Sequence, residues 1–193
     1  MTLIELLVSL AIIGLLTAVA LPVFSTYQRQ NALNLGVKNL EQLFYYSRAL
    51  NNNPSYSSRN YSEEIANANK RYGIKIKPTG SGKKAVLYPA ENVGDDSRAI
   101  DTVVFDPRTT FEFTDGTGRV ITGDVIVYIS ADPPNEVVSC NNEAVYTELV
   151  PPQPDCSVAL FIKIAIAGVS APKTISIYST NDAIRQKFNI RVN

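Results

Sequence analysis

Residues 6–24 read LLVSLAIIGLLTAVALPVF, a run without a single charge in which only Ser9 and Thr17 are polar. As a helix it spans about 28 Å, close to the hydrocarbon thickness of a bilayer. A secretory signal peptide would show a basic stretch before such a run and a small-residue cleavage site after it, and this chain shows neither. The segment therefore reads as one that is retained and membrane-spanning.

Immediately before the run stands Glu5, and no Lys or Arg occurs until Arg29. A carboxylate in lipid is costly unless it is protonated, reaches the interface or meets a positive partner. The nearest positive group is the α-amino group of Met1, and the same amine on a neighbouring copy would serve equally. The second option requires assembly in or at the membrane.

After Pro22 the pattern turns amphipathic. Leu33, Val37, Leu40 and Phe44 recur at helical spacing, with Gln28, Arg29, Gln30, Lys38 and Glu41 between them. This half of the helix is expected to lie against a sheet while the first half projects. Asn51, Asn52 and Asn53 before Pro54 form a stop signal. The expected organisation is an apolar helix over 1–24, an amphipathic continuation over 25–53 and a β-rich head over 54–193.

Within the head, 51–71 is polar and reads as a loop with one helical turn near 62–69. Strands are expected at YGIKIK, AVLYP, DTVVF and TTFEF, then around the turn FTDGTGRV into RVIT and DVIVYIS, and finally at SVALFIKIAIA, KTISIYS and IRQKFNIRV. One N-terminal helix followed by alternating strands predicts an α+β fold, the helix packed on a mainly antiparallel sheet or pair of sheets.

Composition narrows the chemistry. The 18 basic and 18 acidic residues cancel, so nothing global steers the chain toward nucleic acid. Histidine is absent and only Cys140 and Cys156 supply thiols, which removes the commonest general base and most zinc-ligand sets. No phosphate-binding glycine loop or nucleophile–base pair appears, so neither an enzyme nor a cofactor is expected. The two cysteines bound an Asn- and Pro-rich stretch and fit a disulfide closing the loop 140–156 in an oxidising compartment; unpaired cytosolic thiols are the alternative.

The stretch TLIELLVSLAIIGLLTAVALPVF resembles the N-terminus of mature type IV pilins and type II secretion pseudopilins. The resemblance covers about the first thirty residues, through Thr2, Leu3, Ile4, Glu5, the apolar run and Pro22 together. It implies that a prepilin peptidase removes a basic leader and methylates the amine of Met1, where the family usually has phenylalanine. It implies further that Glu5 pairs with a neighbour's amine during assembly. The segment between Gly14 and Pro22 is then a candidate for melting in a filament, with a mild Pro22 kink in an intact helix as the alternative.

The strand order of the head resembles, more weakly, the H-type minor pseudopilins. The function implied is a structural subunit of a helical pilus filament, a homo-oligomer held first in the inner membrane, then extracted by a pilus assembly platform to the cell surface. Adhesion, twitching motility and DNA uptake are roles of such filaments. A pseudopilin of a secretion machine and a membrane-anchored binding domain are the other readings.

Three further clusters have ordinary explanations beside functional ones. Asp95, Asp96, Asp101 and Asp106 lie in an oxygen-rich stretch, but without the spacing of a calcium-binding EF-hand loop, so a solvated acidic loop is expected. On the last strand Arg185, Lys187 and Arg191 alternate with Phe188, Ile190 and Val192, giving one basic and one buried face. DNA contact there is conceivable by the same resemblance, although a solvated strand face explains the pattern. Tyr45, Tyr46, Tyr56, Tyr61 and Tyr72 crowd the start of the head, as a packing surface or as half-buried core. Asn60, Tyr61 and Ser62 form a glycosylation sequon that says little alone.

Overall fold

The computed structural model of the chain describes residues 2–52, 72–80, 82–89, 96–132, 135–142, 159–182 and 185–193. One helix, α1 (Leu3–Asn52), precedes ten strands among these residues: β1 (Tyr72–Lys77), β2 (Lys84–Pro89), β3 (Asp101–Val104), β4 (Thr109–Asp115), β5 (Val120–Ile121), β6 (Val125–Asp132), β7 (Asn135–Asn142), β8 (Ala159–Ile166), β9 (Lys173–Asp182) and β10 (Arg185–Val192). The fold is α+β, as the patterning predicts.

With 50 residues, α1 is about 75 Å long, far longer than the head needs. Its C-terminal half buries Leu33, Val37, Leu40, Leu43, Phe44 and Leu50. Each such side chain contributes about 1.5–3 kcal/mol when fully removed from water, so this face fixes the helix to the head. Ser47 is also fully buried, and its hydroxyl donates to the Tyr72 carbonyl at 3.4 Å, joining the helix to β1. Gly36 allows close approach, because a Cβ there would lie 3.0 Å from Cδ1 of Phe105. Phe105 in turn meets Phe111 edge-on, with ring centroids 4.9 Å apart.

The strands form two antiparallel five-stranded sheets, ordered β3-β2-β1-β6-β7 and β10-β9-β8-β4-β5. α1 contacts strands of both sheets, and its buried residues share one apolar core with Ile74, Ile76, Leu87 and Val127 of the first and Phe113, Leu160, Ile162, Ile175 and Ile177 of the second. Edge strands β7 and β10 lie close together. At the opposite edge of the first sheet, the Thr102 amide on β3 donates to the Asp101 carboxylate at 2.7 Å, which occupies a backbone donor on an edge otherwise open to strand pairing.

The turn expected at FTDGTGRV forms, and the fold adds two features to the expected strands. The turn FTDGTGRV connects β4 to the two-residue β5, whereas DVIVYIS becomes β6 in the other sheet. Asp115, nearly fully buried, shapes that turn by accepting the Thr117 amide at 2.9 Å, the Thr117 hydroxyl at 2.7 Å and the Arg119 amide at 2.9 Å, while Gly118 takes φ 86°. Gly123, at φ 89°, then lies between β5 and β6 where the chain changes sheet. NEVVSCNN is strand β7, which its asparagines conceal in the sequence. Its pairing with β6, from Val125 opposite Asn142 to Asp132 opposite Asn135, overrides weak local preference.

Candidate functional site

The feature that the fold leaves unpartnered is the first half of α1. Leu3, Ile4, Leu6, Leu7, Val8 and Leu10 are between 50% and 80% exposed, and Leu15, Leu16, Leu21, Val23 and Phe24 are between 60% and 71% exposed. This is the one described helix long and apolar enough to cross a membrane, and none of its most apolar stretch is buried within the chain. A surface of this extent is far outside what a soluble monomer exposes.

The hydroxyl groups in this half find their acceptors within the helix itself. The hydroxyls of Ser9 and Thr17 donate to the carbonyls of Glu5 and Ile13 at 2.8 and 2.7 Å. Ser25 and Thr26 both donate to the carbonyl of Pro22, at 2.9 and 3.0 Å. Each donor is thereby satisfied by the helix that carries it, as hydrocarbon requires. Helical structure continues through Gly14 and Pro22. Gly14 has nothing within 4 Å of its missing Cβ, so packing inside the head gives no reason for a glycine there.

At the tip, the Glu5 carboxylate accepts the Thr2 backbone amide at 2.7 Å, and the Glu5 amide donates to the Thr2 carbonyl at 3.1 Å. Thr2-x-x-Glu5 is thus the glutamate half of a capping box. The pattern is visible in the sequence, and this local role supplies a partner for Glu5 within its own chain. Met1 lies outside the described residues.

Where the helix enters the head, Arg29 donates from Nη1 to the Ala167 carbonyl at 3.3 Å, and its Nε is buried without a partner among the described residues. The turn it reaches follows β8 and contains Gly168 at φ +85°, where a Cβ would collide with the guanidinium. Close by in charge, Asp106 accepts Nε and Nη2 of Arg108 at 2.9 and 2.7 Å. These bonds, the Arg108 amide and, to a smaller degree, the charge of Arg29 lower the Asp106 carboxyl to about 2, and Arg108 is pushed up by the same contact.

The other expected site residues are dispersed. Cys140 lies on β7 opposite Val127, and Cys156 lies outside the described residues, as does the pairing expected of them. Arg185 and Lys187 are opposite Asp182 and Thr180 in the β9–β10 register. Arg191 is exposed, with its guanidinium 5.6 Å from the ring centroid of Tyr178. Asp101 and Asp106 are engaged by Thr102 and Arg108, Asp95 lies outside the described residues, and no metal-holding acidic cluster occurs among those described. Tyr45 and Tyr46 are exposed and Tyr72 packs against the core, while Tyr56, Tyr61 and the sequon lie outside the description.

No protein-family model, curated protein or solved structure matches this chain. The molecule's own geometry therefore carries the functional argument: a membrane-length apolar helix projecting from an antiparallel head, compatible with a pilin-like fold.

Proposed function

We propose that the chain is a structural subunit of a type IV pilus-like filament. Residues 1–24 hold it in the inner membrane before assembly, and the same residues become the filament core afterwards. The observation that carries this reading is the division of one continuous helix. Leu33, Val37, Leu40, Leu43, Phe44 and Leu50 belong to the head's core, while the described apolar side chains between Leu3 and Phe24 are exposed.

A simple membrane anchor accounts for the apolar run and, through the Thr2 cap, for an acid in its first turn, but it gives the charge of Glu5 no role beyond that cap. In a filament, a bundle of such helices replaces lipid as the apolar surroundings, and Glu5 meets the amine of a neighbouring Met1. That pair sets axial register, while apolar packing supplies the cohesion. A prepilin peptidase and an assembly platform are the partners implied. Electron microscopy of cells producing the chain tests the proposal: filaments labelled by an antibody against the head are expected, and a chain confined to the membrane under assembly-competent conditions refutes it.

A further inference from the structure

Arg29 is the first cation after the apolar run, and the described residues serve it poorly. Of the five N–H donors of a guanidinium, one is engaged among the described residues, through a long bond to the Ala167 carbonyl. The buried Nε has no partner among the described residues and is closed to solvent, which leaves the Nη groups as the donors that face outward. The acid near enough to feel its charge, Asp106, has both carboxylate oxygens occupied by Arg108. The outward Nη groups of such a guanidinium can donate two charge-assisted bonds to an external oxyanion, carboxylate or phosphate.

The position of Arg29 says which oxyanion that is. From Glu5 to Arg29 the helix rises by about 36 Å, more than the hydrocarbon layer of about 30 Å and less than the 40–45 Å that includes the headgroups. When Glu5 occupies one interface, Arg29 lies in the headgroup layer of the other. Tyr27, 67% exposed and two residues earlier, has the amphipathic ring that prefers this depth. The adjoining turn is suited to a close surface: Gly168, Ser170, Ala171 and Pro172 are exposed, uncharged and small.

We propose that Arg29 is the headgroup anchor of the membrane-inserted chain, its guanidinium binding the phosphate of a bilayer lipid and seating the base of the head on the membrane surface. This rests on the membrane stage of the reading above. Extraction into a filament then exchanges the phosphate for other surroundings, so the contact belongs to the waiting subunit.

The test is solid-state NMR of the full chain, with labelled arginine, in vesicles of phosphatidylethanolamine and phosphatidylglycerol. Dipolar coupling between guanidino nitrogen and lipid phosphorus is expected, lost in Arg29→Gln and retained in Arg108→Gln. Unchanged backbone resonances from β1 and β8 establish that both variants are folded. Coupling that survives Arg29→Gln, or is absent from the unaltered chain in the bilayer, overturns the proposal. In detergent micelles with inorganic phosphate, the Arg29 Nη resonances are expected not to shift; a shift equal to that caused by lipid assigns the site to free phosphate and overturns the headgroup assignment. Failure of the chain to float with the vesicles overturns the membrane reading itself, whereas insertion without coupling at Arg29 overturns this inference alone.

Discussion

The Thr2 backbone amide donates to the Glu5 carboxylate at 2.7 Å, so the one acid in the apolar segment caps its own helix. Capping and inter-subunit pairing make different demands on that side chain. Glutamine at the third helical position also reaches back to the capping amide, but it carries no charge. Glu5→Gln is therefore expected to keep the first turn and to abolish or severely reduce filaments. Glu5→Ala loses both, with about 1 kcal/mol of helix-end stability removed, while the head stays folded and the chain inserted. Amide exchange at Thr2 to Leu6, with electron microscopy of the same variants, separates the roles. Abundant filaments in Glu5→Gln would leave capping as the whole function of the acid.

What the sequence made legible follows from how physics writes itself into residue order. Helix α1 was readable because the period of Leu33, Val37, Leu40 and Phe44 is the period of its buried face. β1 was readable to its ends as YGIKIK. Sheet membership was not: Val120 and Val125 are five residues apart, yet their strands belong to different sheets. β-propensity reports that a segment is extended and half-buried, and does not report its partner. Arg29 was visible as the first cation, but its meeting with Ala167 depends on a contact 138 residues away in the chain.

Gly168 and Arg29 give a prediction about that contact. Gly168→Ala places a Cβ both at positive φ and against the guanidinium. The backbone component alone costs about 1–2 kcal/mol, and displacement of Arg29 adds to it. In an Arg29→Ala background the steric part disappears and the backbone part remains. Denaturant unfolding of the four members of this double-mutant cycle is expected to show a smaller loss for Gly168→Ala when Arg29 is absent. Equal losses in both backgrounds would mean that the guanidinium does not constrain the turn.

Gly36 tests the docking of the helix on the head. Its absent side chain leaves room for Phe105, which is nearly buried and held edge-on by Phe111. Alanine gains helix propensity of about 1 kcal/mol but crowds Phe105, so those effects oppose each other. Leucine has the same propensity advantage and far more volume, and Gly36→Leu is expected to destabilise the head by about 1–3 kcal/mol. Thermal unfolding of the detergent-solubilised chain measures it. A stabilised Gly36→Leu protein would show that the helix stands further from Phe105 than the structure places it.

Asp106 and Arg108 supply a pH dependence whose sign is fixed. The Asp106 carboxyl is lowered from its ordinary 3.8 to about 2, chiefly by the side-chain bond from Arg108 and then by the Arg108 amide. The unfolded chain therefore takes up the proton more readily than the folded one between those values, so acid favours unfolding. The stabilisation is fully present above about pH 4 and is lost as pH falls through the folded value near 2. The effect is modest, since the Arg108 side chain is 49% exposed and water and salt weaken the pair. Denaturant midpoints of the unaltered chain and Asp106→Asn are expected to differ by a constant amount above pH 4 and to converge below it. A difference that persists undiminished at the acid end would assign the contribution of Asp106 to its turn geometry rather than to its charge.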